Sequence, residues 1–555
     1  MTAAIQIENL TFTYRGRDEP ALAGVDLSVA EGQFVAVMGH AGCGKSTLCM
    51  CLNALIPRFF RGELRGAVVV RGRAVAESAI REMAREVGLV FQDFESQLVS
   101  TEVEQELAFG PENYGVPREE ILRRVDKYLS LVRLGELRGR EQATLSGGQR
   151  QLLAVASVLT LETPIVVLDE PTSDLDPANR EEVLGIARRI AESGRVVVMV
   201  EHEPEAVIGA DRILLMREGR VLAYDSAEKL LSRVDLMEEA GVRPLQMVEL
   251  FRKLGFAQAP LTLEEGLELL RANKRAVRRG PGPDGGGAGG PVILEARGLS
   301  HVYPNGNVTA LSRLNLRIRE GEFLAVLGQN GCGKSTLGKL LSGLLRPTEG
   351  EVLFEGERTG EAARGALARQ VGYVYQNPAY QVFAANVYQE VSFGLRNFGV
   401  PEAEIKPRVA EALEAVDLKG YEERDPFGLT RGELQRVAVA SILVSRPRVL
   451  ILDEPTTGMD YRQQRGMMEM LTRLHRAGHT LIVITHSMWV AAEYATRALV
   501  MRGGEIILDG HPREVFAEEE LLASAHLKPP PVVQLSNRLG AGALTVDELA
   551  RALAV

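Results

Sequence analysis

The stretch Phe34-Val35-Ala36-Val37-Met38-Gly39-His40-Ala41-Gly42-Cys43-Gly44-Lys45-Ser46-Thr47 runs from an apolar, strand-like segment through three glycines into helix-like residues, Leu48 to Leu55. Such a strand–loop–helix lets bare backbone N–H groups turn inward around an anion, and the helix N-terminus adds partial positive charge. Lys45 then reaches the outer phosphates of a nucleotide, and the Ser46 hydroxyl ligates a magnesium ion. The pattern recurs at Gly328-Gln329-Asn330-Gly331-Cys332-Gly333-Lys334-Ser335-Thr336, again after an apolar run, Phe323 to Leu327. A lone glycine-rich turn says little, but two full matches in one context predict two nucleotide sites.

Further along each half, Ile165-Val166-Val167-Leu168 leads into Asp169-Glu170, and Val449 to Leu452 leads into Asp453-Glu454. These short runs, like Val196 to Val200, read as strands buried on both faces of a parallel sheet. At a strand tip beside a phosphate loop, Asp169 or Asp453 can hold magnesium through water, and Glu170 or Glu454 can orient or deprotonate an attacking water. Leu145-Ser146-Gly147-Gly148-Gln149-Arg150 adds a hydroxyl and bare amides before a helix, an anion-binding nest. Between loop and nest, Arg118 to Val132 carries apolar residues at helical spacing and reads as part of an inserted helical subdomain.

Leu145 to Arg150 resembles the signature of ABC ATPases, and both halves carry the family's other motifs in order. The resemblance implies an α/β fold class. Two RecA-like P-loop domains stand in tandem, each with an N-terminal antiparallel β subdomain, a helical insert and a C-terminal helical extension. It implies ATP and Mg2+ as ligands, with Gly39, Gly42, Cys43, Gly44, Lys45, Ser46 and Thr47 on one set of phosphates. Gly328, Gly331, Cys332, Gly333, Lys334, Ser335 and Thr336 would hold the other. Tyr14 and Tyr303 resemble adenine-stacking aromatics. Gln92 and Gln376 resemble the glutamine that senses magnesium and touches a membrane partner. Ser173-Asp174-Leu175-Asp176 and Gly458-Met459-Asp460 resemble the loop crossing the interface between halves. His202 and His486 resemble the switch histidine on the γ-phosphate. In that family each signature faces the ATP held by the opposite domain. One site would therefore join Lys45, Glu170 and His202 to residues 430–433, and the other Lys334, Glu454 and His486 to Ser146, Gly147, Gly148 and Gln149.

The second signature departs from the pattern, reading Leu429-Thr430-Arg431-Gly432-Glu433. Arg431 adds bulk where the first glycine should stand, so the site it completes is expected to turn over slowly. The guanidinium also fits as an extra phosphate ligand.

The 555 residues exceed one core. Lys45 and Lys334 lie 289 positions apart, while Gln92/Gln376, Glu170/Glu454 and His202/His486 each lie 284 apart. The tails echo as well: Thr262-Leu263-Glu264-Glu265 is similar to Thr545-Val546-Asp547-Glu548. The expected layout is a first ATPase domain over 1–226, its helical extension over 227–279, a Gly/Pro-rich linker over 280–291, a second domain over 292–510 and its extension over 511–555. The linker's composition forbids helix or strand. The basic cluster before it, Arg271, Lys274, Arg275, Arg278 and Arg279, reads first as a solvated helix end, with an anionic lipid or RNA contact as the alternative.

A net charge of −10 argues against a nucleic-acid partner. No run of about 18 apolar residues and no signal-like start appear, so a cytosolic chain is expected. Cys43, Cys49, Cys51 and Cys332 have neither disulfide-framework nor metal-pair spacing and read as small buried thiols, although alkylation of Cys43 or Cys332 would block the phosphate loops.

The stretches after the two glutamines, Phe91 to Leu98 with Glu106 to Asn113, and Tyr375 to Phe383 with Glu390 to Asn397, resemble the ATPases of energy-coupling-factor importers, the cobalt- and vitamin-type group. Phe94 replaces that group's usual proline. The resemblance implies a membrane coupling protein and a small substrate-capture membrane subunit as partners. It also implies intramolecular pairing of the two halves, and a peripheral position on the cytoplasmic face of the membrane. A soluble tandem ATPase acting on ribosomes or DNA, and a fused sugar-importer ATPase, are the alternatives.

Overall fold

The computed structural model describes residues 3–172, 175, 177–273, 277–278, 290–304, 308–359 and 364–553. Most of the expected linker, together with Lys274, Arg275 and Arg279, lies outside the described residues, as do Ser173, Asp174 and Asp176. The chain divides into two compact units, Met1–Glu249 with Ala257–Leu261, and Leu250–Phe256 with Thr262–Val555.

In the first unit, an antiparallel sheet carries the strands Leu22–Ala30, Ala3–Tyr14, Gly62–Val70 and Arg73–Ala74 in that spatial order. Beside it a six-stranded sheet runs Arg220–Ser226, Arg212–Arg217, Phe34–Gly39, Val196–Val200, Ile165–Asp169, Val87–Val90. All neighbours in it are parallel except the edge strand Arg220–Ser226. Phe34–Gly39, Val196–Val200 and Ile165–Asp169 are buried at every residue, which is why their sequences are unbroken apolar runs without alternation. Parallel register, Leu168 with Met199 and Val37 with Val200, brings the carboxyl ends of these strands to one edge. That edge is where ligands bind in open α/β sheets.

The second unit repeats the plan. Its antiparallel sheet orders Val308–Arg319, Val292–Tyr303, Glu349–Phe354, Glu357–Arg358, and its main sheet orders Val371–Val374, Val449–Asp453, Thr480–Ile484, Phe323–Gly328, Arg497–Arg502, Glu505–Gly510. Each unit carries a helical insert: Val103–Asn113, Arg118–Leu131 and Gly147–Leu159 in the first, and Val387–Asn397, Glu402–Ala415 and Arg431–Leu443 in the second.

The tail repeats are helix caps. Thr262 accepts from the Glu265 amide at 3.3 Å while Glu265 accepts from the Thr262 amide, a capping box that starts the helix Leu263–Ala272. Thr545 likewise accepts from the Glu548 amide at 3.2 Å, ahead of Val546–Leu553. Leu263–Ala272, although it precedes the linker, packs within the second unit against Pro531–Leu539. In the same unit Lys253 pairs with Asp547 at 2.5 Å. Among the described residues no helix is long and apolar enough to cross a membrane.

Candidate functional site

Each phosphate loop closes on a glycine that no other residue can replace cheaply. Gly44 and Gly333 sit at φ 102° and 104° directly before the helices Lys45–Leu52 and Lys334–Leu341, and a Cβ on either would collide with the Ala21 or Ala310 carbonyl oxygen. The lysines lie inside the loops: Lys45 Nζ donates to the Gly39 and His40 carbonyls at 2.9 and 3.0 Å, and Lys334 Nζ to those of Gly328 and Gln329 at 2.7 and 3.0 Å. Gly42 and Gly331, both at positive φ, leave the loop interiors open, with nothing within 4 Å of where a Cβ would stand. Thr47 and Thr336 meet the hydroxyls of Tyr14 and Tyr303 at 3.1 and 3.2 Å, so both tyrosines lie half-buried against the first turn of the loop helix. Cys43 and Cys332 are buried in the same loops, and burial pushes the Cys332 thiol up. Neither sulfur is therefore presented to an alkylating reagent, and Cys49 and Cys51 are buried too.

Asp169 and Asp453 end their strands nearly buried, 4% exposed each. Burial pushes the Asp169 carboxyl up to about 6, moderated by the Ser46 hydroxyl bonded to it. Burial raises Asp453 as well, against hydrogen bonds from Tyr373 and Ser335; Tyr373 donates to Oδ2 at 2.6 Å. In both aspartates Oδ1 is buried without a hydrogen-bond partner among the described residues. An unpaired carboxylate oxygen beside a serine hydroxyl at a phosphate loop fits a hard cation with oxygen ligands. No group of three or more His, Cys, Asp or Glu suited to a metal occurs among the described residues, and the serine hydroxyl with one aspartate oxygen leaves positions for phosphate and water. Magnesium fits that division of ligands.

Glu170 and Glu454 follow at φ 49° and 47°, in the left-handed region. The turn aims each carboxylate back at the sheet edge, where the next strand ends in histidine. Glu170 Oε1 lies 2.7 Å from His202 Nε2, and its Oε2 accepts from Gln92 Nε2 at 2.8 Å. Glu454 Oε1 lies 2.9 Å from His486 Nδ1, but Oε2 is buried with no partner among the described residues. Gln376 is exposed and does not donate to that atom. Burial presses the Glu454 carboxyl upward, yet the His486 charge and hydrogen bond and the Lys334 charge outweigh it, and it rests below its ordinary value.

Two residues here carry no motif signal. Tyr373 holds Asp453 where the first half has Leu89, and Glu201, only 3% exposed, accepts the Thr172 hydroxyl at 2.5 Å where the second half has Thr485. Comparing the halves position by position would have exposed both.

The signature segments cap helices of the insert. Ser146 Oγ accepts from the Gln149 amide at 3.3 Å and Gln149 Oε1 from the Ser146 amide at 3.0 Å. A Cβ on Gly147 would meet nothing within 4 Å, whereas one on Gly148 would press on Asn179. In the second half Thr430 offers Glu433 Oε2 its amide at 2.9 Å and its hydroxyl at 2.7 Å, and the Tyr421 hydroxyl reaches Glu433 Oε1 at 2.7 Å. Burial lifts the Glu433 carboxyl, but these donors together hold it below the usual range. Gly432 backs onto Gln463, and the Arg431 guanidinium lies over Gly458.

Beyond the nucleotide edge, Glu106 and Glu390, 4% and 3% exposed, each clamp the loop that follows Gln92 or Gln376. Glu106 Oε2 accepts from the Val99 and Ser100 amides at 3.0 and 2.7 Å, and Glu390 Oε2 from the Phe383 and Ala384 amides at 2.9 and 2.8 Å. The clamped loops expose Val99 and Phe383, 60% each; Phe383 meets exposed Phe393 edge-on at 4.8 Å, and Phe109, at the position equivalent to Phe393, is exposed too.

The family model described as ABC transporter matches residues 22–173 and 311–457. A protein of Caldanaerobacter subterraneus subsp. tengcongensis, provisionally named an ABC transporter ATP-binding protein, is 48% identical over 557 residues, covering 98% of each chain. A Methanosarcina mazei protein of the same provisional name is 41% identical over 570 residues, covering 99% of this chain and 96% of its own. A solved structure of cbiO1 from Clostridium perfringens, described as part of the ABC transporter complex cbiONQ, is 38% identical over 44% of this chain and 98% of its own, with a TM-score of 0.39. With two phosphate loops, two Asp-Glu strand tips and two matches to that family model, the chain belongs to the ABC transporter family, as a tandem of two ATP-binding domains in one polypeptide.

Proposed function

We propose that this ATPase is the energy-coupling subunit of a membrane importer for a micronutrient, a vitamin, vitamin precursor or transition-metal ion. It works at the cytoplasmic face, held there by a membrane coupling protein that engages a small substrate-capture subunit. The observation that carries the reading is the duplicated clamp. In each half a buried glutamate fixes a loop that begins at Gln92 or Gln376 and displays apolar side chains to solvent. Exposed apolar residues at equivalent positions of both halves suit a partner that touches both.

In this reading Lys45 and Lys334 hold the outer phosphates, and the amides of both glycine loops cradle them. A magnesium ion held by Ser46 and Asp169, or by Ser335 and Asp453, neutralises charge on the phosphate oxygens. Gln92 and Gln376 would sense the same ion when it is bound. Glu170 and Glu454 take the proton of the attacking water as its oxygen bonds to the γ-phosphorus; the bond to ADP breaks and phosphate leaves. His202 and His486 orient the glutamates and reach the γ-phosphate. Each signature segment completes the site of the other half. The site completed by residues 430–433 turns over more slowly, because the Glu433 carboxylate stands at a nest where Gln149 is neutral. Closing on ATP moves the helical inserts, and hydrolysis removes the γ-phosphate contacts and reopens the pair, a population shift driven by differential binding. The domain extents 1–226, 227–279, 280–291, 292–510 and 511–555 belong to this proposal.

The test is a mild-detergent pull-down of the tagged chain from native membranes, with copurified proteins identified by mass spectrometry. One multi-spanning protein together with a small membrane protein is the expected result. Ribosomes or DNA-repair proteins without a membrane partner overturn the importer reading in favour of a soluble tandem ATPase, and periplasmic sugar-binding proteins would favour a sugar importer.

A further inference from the structure

Among the differences between the second signature with its neighbours and the first, five cluster around one helix start. Tyr421, Thr430, Arg431, Glu433 and Gly458 stand where a shift of 284 gives Leu137, Ser146, Gly147, Gln149 and Asp174. Three of them are already tied: Tyr421 and Thr430 hold Glu433 at the start of the helix Arg431–Leu443. The other two meet each other. A Cβ added to Gly458 would lie 2.5 Å from Arg431 Nη1, 2.6 Å from Cζ and 2.8 Å from Nε. The guanidinium therefore fills the space that a side chain at 458 would occupy, lying along it with three atoms and not touching by one tip. Only glycine at 458 leaves that room, and its φ of 69° suits glycine as well.

The residues after Gly458 are anchored. Met459 is 3% exposed in the core, and Asp460 caps Tyr461–Arg476 by accepting from the Gln463 amide at 2.8 Å. Gly432 packs on the same Gln463. Both halves thus join signature to following helix through the second glycine, Gly148 on Asn179 and Gly432 on Gln463, and the second half adds a wider contact through Arg431.

We propose that Arg431 and Gly458 are a matched pair, in which Arg431 is a positioning residue that braces the Gly458–Asp460 segment against the signature helix and keeps its own guanidinium out of the phosphate-facing nest. Arg431 is then neither a block nor a phosphate ligand. A side chain at 458 drives it off its seat and back toward the nest, so the harm done at 458 depends on arginine at 431. This deepens the assignment of residues 430–433 as a signature segment and rests on it.

A double-mutant cycle on the full chain reads this out, as steady-state ATPase with kcat and KM separated. Asn is the substitution at 458 because it tolerates positive φ. Arg431→Gly is expected to lower kcat about threefold with KM for ATP within about twofold, and Gly458→Asn to lower kcat about tenfold. The double variant returns to about the threefold loss of Arg431→Gly alone, a partial rescue. Losses that multiply in the double variant overturn the inference, as does a raised KM in Arg431→Gly, which marks a phosphate ligand. Turnover that rises in Arg431→Gly marks a block and overturns it too, as does wild-type turnover in both single variants. Gly432→Glu separates the two levels, because in this reading closing of the pair needs both signature segments, including the one whose own site hydrolyses slowly. If it leaves turnover intact, the signature assignment itself fails and takes the inference with it; if it abolishes turnover while the cycle is multiplicative, the inference alone fails.

Discussion

Glu170 and Glu454 occupy a backbone region that costs a residue with a side chain on the order of 1–3 kcal/mol, sustained by the strands around them. The cost places each carboxylate on a histidine, and the two halves then diverge: Glu170 is held from both sides by Gln92 and His202, Glu454 from one side by His486. Together with the charged nest at Glu433, this implies unequal sites. Glu454→Gln is expected to reduce steady-state turnover by more than about tenfold relative to Glu170→Gln, since general-base loss costs about 10²–10⁴ only at the site carrying the flux; equal losses would remove the asymmetry. Glu201 gives a second expectation. Burial raises its carboxyl, so the folded chain keeps that proton to higher pH than the unfolded chain does. The native state therefore binds more protons between the two pKa values, and stability falls as pH rises through that window. Glu201→Gln, keeping a hydrogen bond to Thr172, should raise the melting temperature at pH 7.5 and not near pH 4. A gain independent of pH would mean that folding leaves the carboxyl's hold on its proton unchanged.

Elements account for what motif spacing leaves silent. The phosphate loops and strand tips were legible because their chemistry needs particular residue types at fixed intervals along one local segment, and Phe34–Gly39 with Lys45–Leu52 forms as that pattern predicts. The partners of those residues were not legible, since Tyr373 reaches Asp453 across 80 positions and Glu201 reaches Thr172 from another strand. Only sheet register brings such residues together. The clamp is intermediate: Glu106 and Glu390 stand in plain view after the glutamine loops, yet their role follows only from burial and from the two amides each accepts. Glu390→Ala removes a buried acceptor from two backbone donors, a loss of about 1–3 kcal/mol for each group left unpaired. Amide exchange at Phe383 and Ala384 should accelerate at least tenfold while the strand Val449–Asp453 keeps its protection. Unchanged exchange at those two amides would show that the loop is held by other contacts.

For the whole molecule, the duplication was plain in the nearly constant shift, 289 at the phosphate loops and 284 from Gln92 to His202, whereas the way the chain is shared between its units was not. The expected boundary at the linker follows composition, and composition reports where a chain cannot be regular, not which unit a helix joins. The helix Leu263–Ala272 belongs by sequence to the first half and by packing to the second, where Gly266, Leu267 and Leu270 are buried. This bears on any attempt to dissect the protein or to read it as two genes run together. A polypeptide begun at residue 292 would lack that helix and leave the flank of Pro531–Leu539 bare, prone to stick to other copies. The piece ending at residue 279 would carry an arm with no home of its own. Cut at the linker and made together, the fragments should find each other through that arm, as a lock finds the one key already cast to it; made apart, neither should be well behaved.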